Sequence, residues 1–102
     1  MTNDSADHWP SWTFLTNHAH VLVCLTGDPD LRGWEIARRV GITERGVQKI
    51  VADLVQEGYL TRERVGRRNR YTVNADIALR HPLESHQSVG ELLAAVTGAP
   101  PP

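Results

Sequence analysis

The chain has 102 residues, 40% of them hydrophobic and 23% charged, with a formal net charge of −1. That length holds one domain with a limited core, which favours association with a second copy. A single cysteine, Cys24, excludes a disulfide within the chain and a thiolate metal cluster within one subunit.

Residues 1–10 lack apolar periodicity and are expected to be disordered. Their acidic, polar composition is unlike a secretory signal. No stretch approaches the roughly 20 apolar residues a membrane span needs, so the cytoplasm is the expected location. From Trp12 to Leu25 the apolar residues fall at helical spacing, with Leu15, Ala19 and Leu22 on one line and Phe14, Val21 and Leu25 beside it. Thr16, or else Ser11, is the candidate N-cap. Gly27-Asp28-Pro29 stops this helix. Leu31 to Gly33 reads as a very short strand. Trp34, Ile36, Ala37 and Val40 then mark a two-turn helix that ends at Gly41, a candidate left-handed residue. Ile42 plugs the turn, and Thr43 caps the next helix.

In that helix Val47, Ile50, Val51, Leu54 and Val55 form a clean apolar stripe. Arg45, Gly46, Gln48, Lys49, Ala52, Asp53 and Gln56 occupy its other face, and Gly58 ends it. Tyr59 to Arg64 and Arg70 to Val73 alternate as strands around the turn residues 65–69. After a connector ending at Pro82 comes a last helix, starting near Leu83 or at Ser88. Ser88 and Glu91 match a capping box. Leu83, Val89, Leu92, Leu93 and Val96 give this helix an apolar face. Residues 98–102 form a Pro-rich tail expected to be disordered.

Charge is segregated along the chain. Residues 1–31 carry four acids and no Lys or Arg, residues 32–80 carry all eleven basic residues against six acids, and residues 81–102 carry two acids. A basic middle between acidic ends is the pattern of a surface that meets a polyanion. The order of elements specifies a mainly α (α+β) winged helix-turn-helix, a three-helix core plus a β-hairpin wing and a C-terminal helix, within one domain at 11–97.

In such a fold the second helix of the helix-turn-helix, here about 43–57, enters the major groove. Arg45 and Lys49 share a face and suit guanine, and Gln48 suits adenine. Gly46 offers a close approach, and Thr43 offers its hydroxyl or N–H to a phosphate. An amphipathic helix alone is more often a solvated surface. The neighbouring hairpin changes that balance, because Arg62, Arg64, Arg67, Arg68 and Arg70 crowd nine positions opposed only by Glu63. Like charges on one hairpin repel unless a polyanion meets them. Arg67 and Arg68 at the tip are the candidates for phosphates or the minor groove, with Asn69 beside them as a turn residue. Arg62, Arg64 and Arg70 brace the hairpin or touch the DNA backbone.

The segment GITERGVQKIVADLVQEGYLTRERVGRRNRYTV resembles the winged helix-turn-helix of MarR-type and ArsR-type bacterial transcriptional regulators. It is also similar to small winged-helix regulators with an FLTNHAHVL-like first helix and an RHP segment after the wing. The resemblance covers about residues 12–97, and its most specific parts are Gly58-Tyr59-Leu60 and Gly66-Arg67-Arg68-Asn69. It implies a homodimer bound to double-stranded operator DNA, with helices outside the reading head at the two-fold contact. Arg45, Gln48 and Lys49 then correspond to the base-reading helix, and Arg67 and Arg68 to the wing tip. Trp12, Phe14, Val89, Leu92, Leu93 and Val96 are the candidate dimer contacts.

Other readings stay open. The basic wing suits an acidic protein partner. RNA is disfavoured, because only Tyr71 interleaves the wing arginines. His20 and Cys24, four apart, suit a metal shared across a dimer with His18, His81 or His86, but the ligand spacing is poor, and neither metal nor cofactor is assigned. No nucleophile motif or phosphate loop points to an enzyme. Trp12 and Trp34 read as core or dimer contacts, and Trp9 as partly exposed. The sequence names no effector.

Overall fold

The computed structural model describes residues 9–98, and the expectations for residues 1–8 and 99–102 lie outside them. The elements in order are α1 (Asn17–Gly27), α2 (Gly33–Val40), α3 (Glu44–Gln56), β1 (Leu60–Val65), β2 (Arg68–Val73) and α4 (Val89–Thr97).

Helix α1 begins later than its apolar pattern. Thr16 is the N-cap, its Oγ1 accepting from the Ala19 N–H at 3.3 Å. A Thr cap satisfies an N–H that the first turn would otherwise leave orphaned. Trp12 to Leu15 therefore precede the helix, and Phe14 is 92% exposed instead of facing the core. The stop at Gly27 is as expected, with Asp28 at the C-cap.

The segment 31–33 forms no strand. Leu31 is buried, while Pro29 O accepts a single bond from the Tyr71 N–H at 3.1 Å. Proline has no N–H to return, so a ladder cannot propagate there. Among the described residues the sheet is the two-stranded β1–β2 hairpin, with one isolated antiparallel bridge between Ala78 and Ser88.

Helices α2 and α3 meet at Gly41, which has φ +89° and donates to Ala37 O at 2.8 Å. Trp9 lies against this glycine, so close that a Cβ at position 41 would sit 2.7 Å from the indole. Trp9 thus has a defined place, although the sequence put it in a disordered terminus. Thr43 caps α3 as expected, its Oγ1 accepting from the Gly46 N–H at 3.0 Å. Gly58, with φ +87°, follows the C-cap Glu57, and Tyr59 N–H returns to Leu54 O at 2.8 Å. A positive-φ residue after the last turn lets the chain reverse and satisfy a terminal carbonyl.

The core is one cluster. It takes Val21, Leu22 and Leu25 from α1, Ile36 and Ala37 from α2, and the predicted stripe Val47, Ile50, Val51 and Leu54 from α3. Tyr59 and Leu60 close it below the hairpin, and Val89 and Leu93 close it from α4. Tyr59 keeps its hydroxyl satisfied by donating to Ala78 O at 2.9 Å. Helix α4 starts at Ser88, where the Ser88–Glu91 capping box forms in both directions. Leu83 lies outside that helix and is 80% exposed, so it does not belong to its apolar face.

Candidate nucleic-acid interface

Helix α3 turns its apolar stripe inward, which forces its remaining positions outward. Arg45, Gln48 and Lys49 are all exposed. Gly46 is different. It is half-buried against the cap, and a Cβ there would sit 3.3 Å from Thr43 Oγ1 and 3.5 Å from Ile42. Its small size suits the crowded first turn of the helix. Thr43 Oγ1 accepts from Gly46 and keeps its own proton to donate.

Asp53, also on α3, ties that helix to α1. His18 Nε2 lies 2.9 Å from Asp53 Oδ2, and Lys49 Nζ lies 4.0 Å from the same oxygen. A carboxylate only accepts, so the imidazole donates from Nε2. That hydrogen bond holds the Asp53 carboxyl below the ordinary carboxylate range. Burial opposes it, and the charges of Lys49, His18 and Arg80 add to it.

The hairpin register pairs Arg62 with Tyr71, Glu63 with Arg70, Arg64 with Asn69 and Val65 with Arg68. Alternation places Arg62, Arg64 and Asn69 on one face and Glu63, Arg68 and Arg70 on the other. On the first face Arg62, Arg64 and Asn69 line a shallow groove that runs to Val55 and Gly58 at the end of α3. On the second, Arg70 meets Asp30 with two bonds, Nε to Oδ1 at 2.9 Å and Nη2 to Oδ2 at 3.2 Å. Arg68 Nη2 donates to Asp30 O at 2.6 Å.

The wing arginines therefore divide differently from the expectation. Arg68 joins Arg70 in bracing, Arg62 and Arg64 face the groove, and Arg67 stands exposed at the tip. The strand register decides this, because a residue's face depends on its partner across the ladder.

The bond from Arg70 holds the Asp30 carboxyl below the ordinary range. Burial opposes it, and the charges of Arg70 and Arg68 add to it. Both depressed carboxylates act in the same direction with pH. Their contribution to stability is present above the unfolded carboxylate value of about 3.9 and is lost as pH falls through the lower folded values. Urea midpoints are expected to hold between about pH 6 and 5 and to drop below about pH 4. The Asp30→Asn/Asp53→Asn variant should show a flatter acid limb. Superimposable profiles would remove these two carboxylates as contributors.

The candidate dimer contacts separate into two sets. Val89 and Leu93 are 2% and 4% exposed and belong to the protomer's own core. Leu92 is half-buried. Trp12, Phe14 and Val96 are open to solvent, and the Trp12 and Phe14 rings meet edge to face with centroids 5.1 Å apart.

Three of the candidate metal residues have other partners within the protomer. His18 is held by Asp53, His20 Nδ1 lies 3.1 Å from Asn17 Oδ1, and His81 Nδ1 accepts from the Leu83 N–H at 3.0 Å. Burial pushes the Cys24 thiol up, with the charge of Arg39 opposing. Among the described residues no group of three His, Cys, Asp or Glu is placed to hold an ion. Among them, too, no helix is long and apolar enough to cross a membrane.

Sequence reasoning missed Asp30, the contact of Trp9 with Gly41 and the His18–Asp53 pair, while Trp9 is half exposed as it expected. The one available signal was the acidity of Asp28-Pro29-Asp30, which reads locally as a helix stop.

Helix α1, the α2–turn–α3 pair and the β1–β2 hairpin, followed by α4, make this chain a winged helix-turn-helix protein. Among solved structures it is similar to the zinc-dependent MarR family transcriptional regulator AdcR in the Zn(II)-bound state. The identity is 28% and the TM-score 0.47, over 66% of this chain and 48% of that one. The chain spans about half the length of that regulator (48%). No protein-family model matches the chain, and no curated protein does.

Proposed function

We propose that this protein is a sequence-specific double-stranded DNA-binding transcriptional regulator. The observation that carries the reading is the exposed Arg45, Gln48 and Lys49 sector on the second helix of a helix-turn-helix, next to a hairpin with Arg62, Arg64 and Arg67 facing solvent. Arg45 and Lys49 suit guanine O6 and N7, and Gln48 suits an adenine edge. The capped N-terminus of α3 and the Thr43 hydroxyl suit a phosphate. Arg62, Arg64 and Arg67 then follow the flanking backbone or the minor groove. Asn69, at the edge of the groove, contributes a neutral contact.

The regulator acts as a cytoplasmic homodimer in this reading. Trp12, Phe14 and Val96 supply the apolar surface that a second copy covers, with Leu92 at its edge. Two reading helices then lie about 34 Å apart, and the site is a pseudo-palindrome. The role is recognition rather than catalysis.

Fluorescence anisotropy with mixed-sequence duplex DNA at several salt concentrations tests the reading. The wild type should bind and weaken steeply with salt. Arg62→Ala/Arg64→Ala/Arg67→Ala should show a slope shallower by roughly 0.9 for each phosphate left without its arginine. Absence of binding at low salt would sink the DNA reading. Monomers alone in light scattering would sink the dimer.

A further inference from the structure

The outer part of the wing has almost no packing of its own, while its base meets the core through Leu60, Tyr71 and Val73. Leu60 is the one buried residue of β1, and every residue from 61 to 70 is exposed. A two-stranded hairpin is marginal in water without further support. Among the described residues, the hydrogen bonds that reach 65–71 from outside the hairpin come from Pro29 and Asp30 alone. Asp30 gives its carboxylate to Arg70 through two bonds and its carbonyl to Arg68. Its own N–H donates to Asp28 Oδ1 at 3.0 Å. The next residue, Leu31, is 4% exposed and anchors this loop in the core. Asp30, beside the Pro29 carbonyl that accepts from the Tyr71 N–H, therefore joins the core to the outer part of β2.

We propose that Asp30 is a positioning residue for DNA binding, which sets the angle of the wing against α3 by clamping Arg68 and Arg70. This inference rests on the DNA reading above. Its sign is opposite to that of simple electrostatics. A carboxylate beside a phosphate-binding wing repels DNA and occupies Arg70, so its removal should tighten binding if Asp30 is only a competitor. If Asp30 is a clamp, its removal lets the wing swing and weakens binding. A fixed planar fork on a carboxylate carries orientation as well as energy.

The test compares wild type, Asp30→Ala and Asp30→Glu on one mixed-sequence duplex by anisotropy across salt concentrations. Asp30→Ala is also placed in an Arg68→Ala/Arg70→Ala background. The expected result is binding about three- to fivefold weaker for Asp30→Ala, the size of one exposed ion pair. Asp30→Glu should recover part of the loss, and Asp30→Ala should cause no further loss in the double-arginine background. Melting temperatures measured alongside verify that each variant is folded. Unchanged or tighter binding by Asp30→Ala overturns the proposal, especially with a salt slope steeper by about one as a freed arginine takes a phosphate. A loss that persists in the double-arginine background also overturns it, because Asp30 would then act elsewhere. A wild type that binds no duplex overturns the DNA reading and this inference with it. The wild-type control alone reveals that case, so the two failures are distinct.

Discussion

Replacing Arg45 and Lys49 together by alanine is expected to weaken binding to the preferred duplex by about a hundredfold, with little change in stability. Each base contact of this kind is worth roughly 1–3 kcal/mol, and a hundredfold corresponds to the low end for two of them. Both side chains stand on the exposed sector of α3, away from the stripe that holds the core. Their removal leaves the buried contacts intact. Lys49 loses only a 4.0 Å approach to Asp53, an exposed pair of small energetic weight. Affinity for unrelated duplex should fall far less, because Arg62, Arg64 and Arg67 remain to meet phosphates. Titration of both duplexes, after selection of the preferred site, measures the ratio. If the double variant binds the preferred site within about threefold of wild type, α3 does not read bases in this orientation.

Gly41→Val is expected to be the most damaging single change in the turn. The backbone there has φ +89°. A left-handed conformation costs an ordinary residue roughly 1–2 kcal/mol, and a β-branched one more. The new side chain would also displace Trp9, whose ring would stand 2.7 Å from the first added carbon. Together these predict a loss of about 3 kcal/mol, or a melting temperature lower by roughly 12–24 °C in a domain of this size. Gly41→Ala should lie between wild type and valine. Gly27→Ala is the control, because nothing lies within 4 Å of a Cβ there and alanine favours a helix. Thermal melts of the three variants decide it, and a Gly41→Val protein that melts with wild type would refute the strain at this turn.

Much of the helix-turn-helix was legible along the chain because its signals are local. Thr43 three residues before Gly46, Gly41 after Val40 and Ser88 before Glu91 each act through neighbouring backbone. The structure contains the corresponding cap, left-handed turn and capping box. The α3 stripe was equally plain, since a period of 3.6 residues belongs to the helix itself. Errors came where apolar residues lie outside any periodic element. Phe14 and Leu83 match helical spacing on paper, yet Thr16 and Ser88 start their helices afterwards, and a cap outranks a hydrophobic residue upstream of it.

By itself the sequence determined the order of helices, the turn and the basic hairpin, together with the outward face of α3. Backbone propensity and side-chain spacing act over a few residues, so a linear reading captures them. Tertiary structure alone decided which arginines brace the wing and which face outward. That choice depends on Asp30, which lies 38 and 40 residues before Arg68 and Arg70, and on a hairpin register that alternates faces. It also decided that Trp9 packs on Gly41, that His18 holds Asp53 and that Val89 and Leu93 serve the core. Contacts across such separations form only when the core has folded and brought the elements together, so no local pattern announces them.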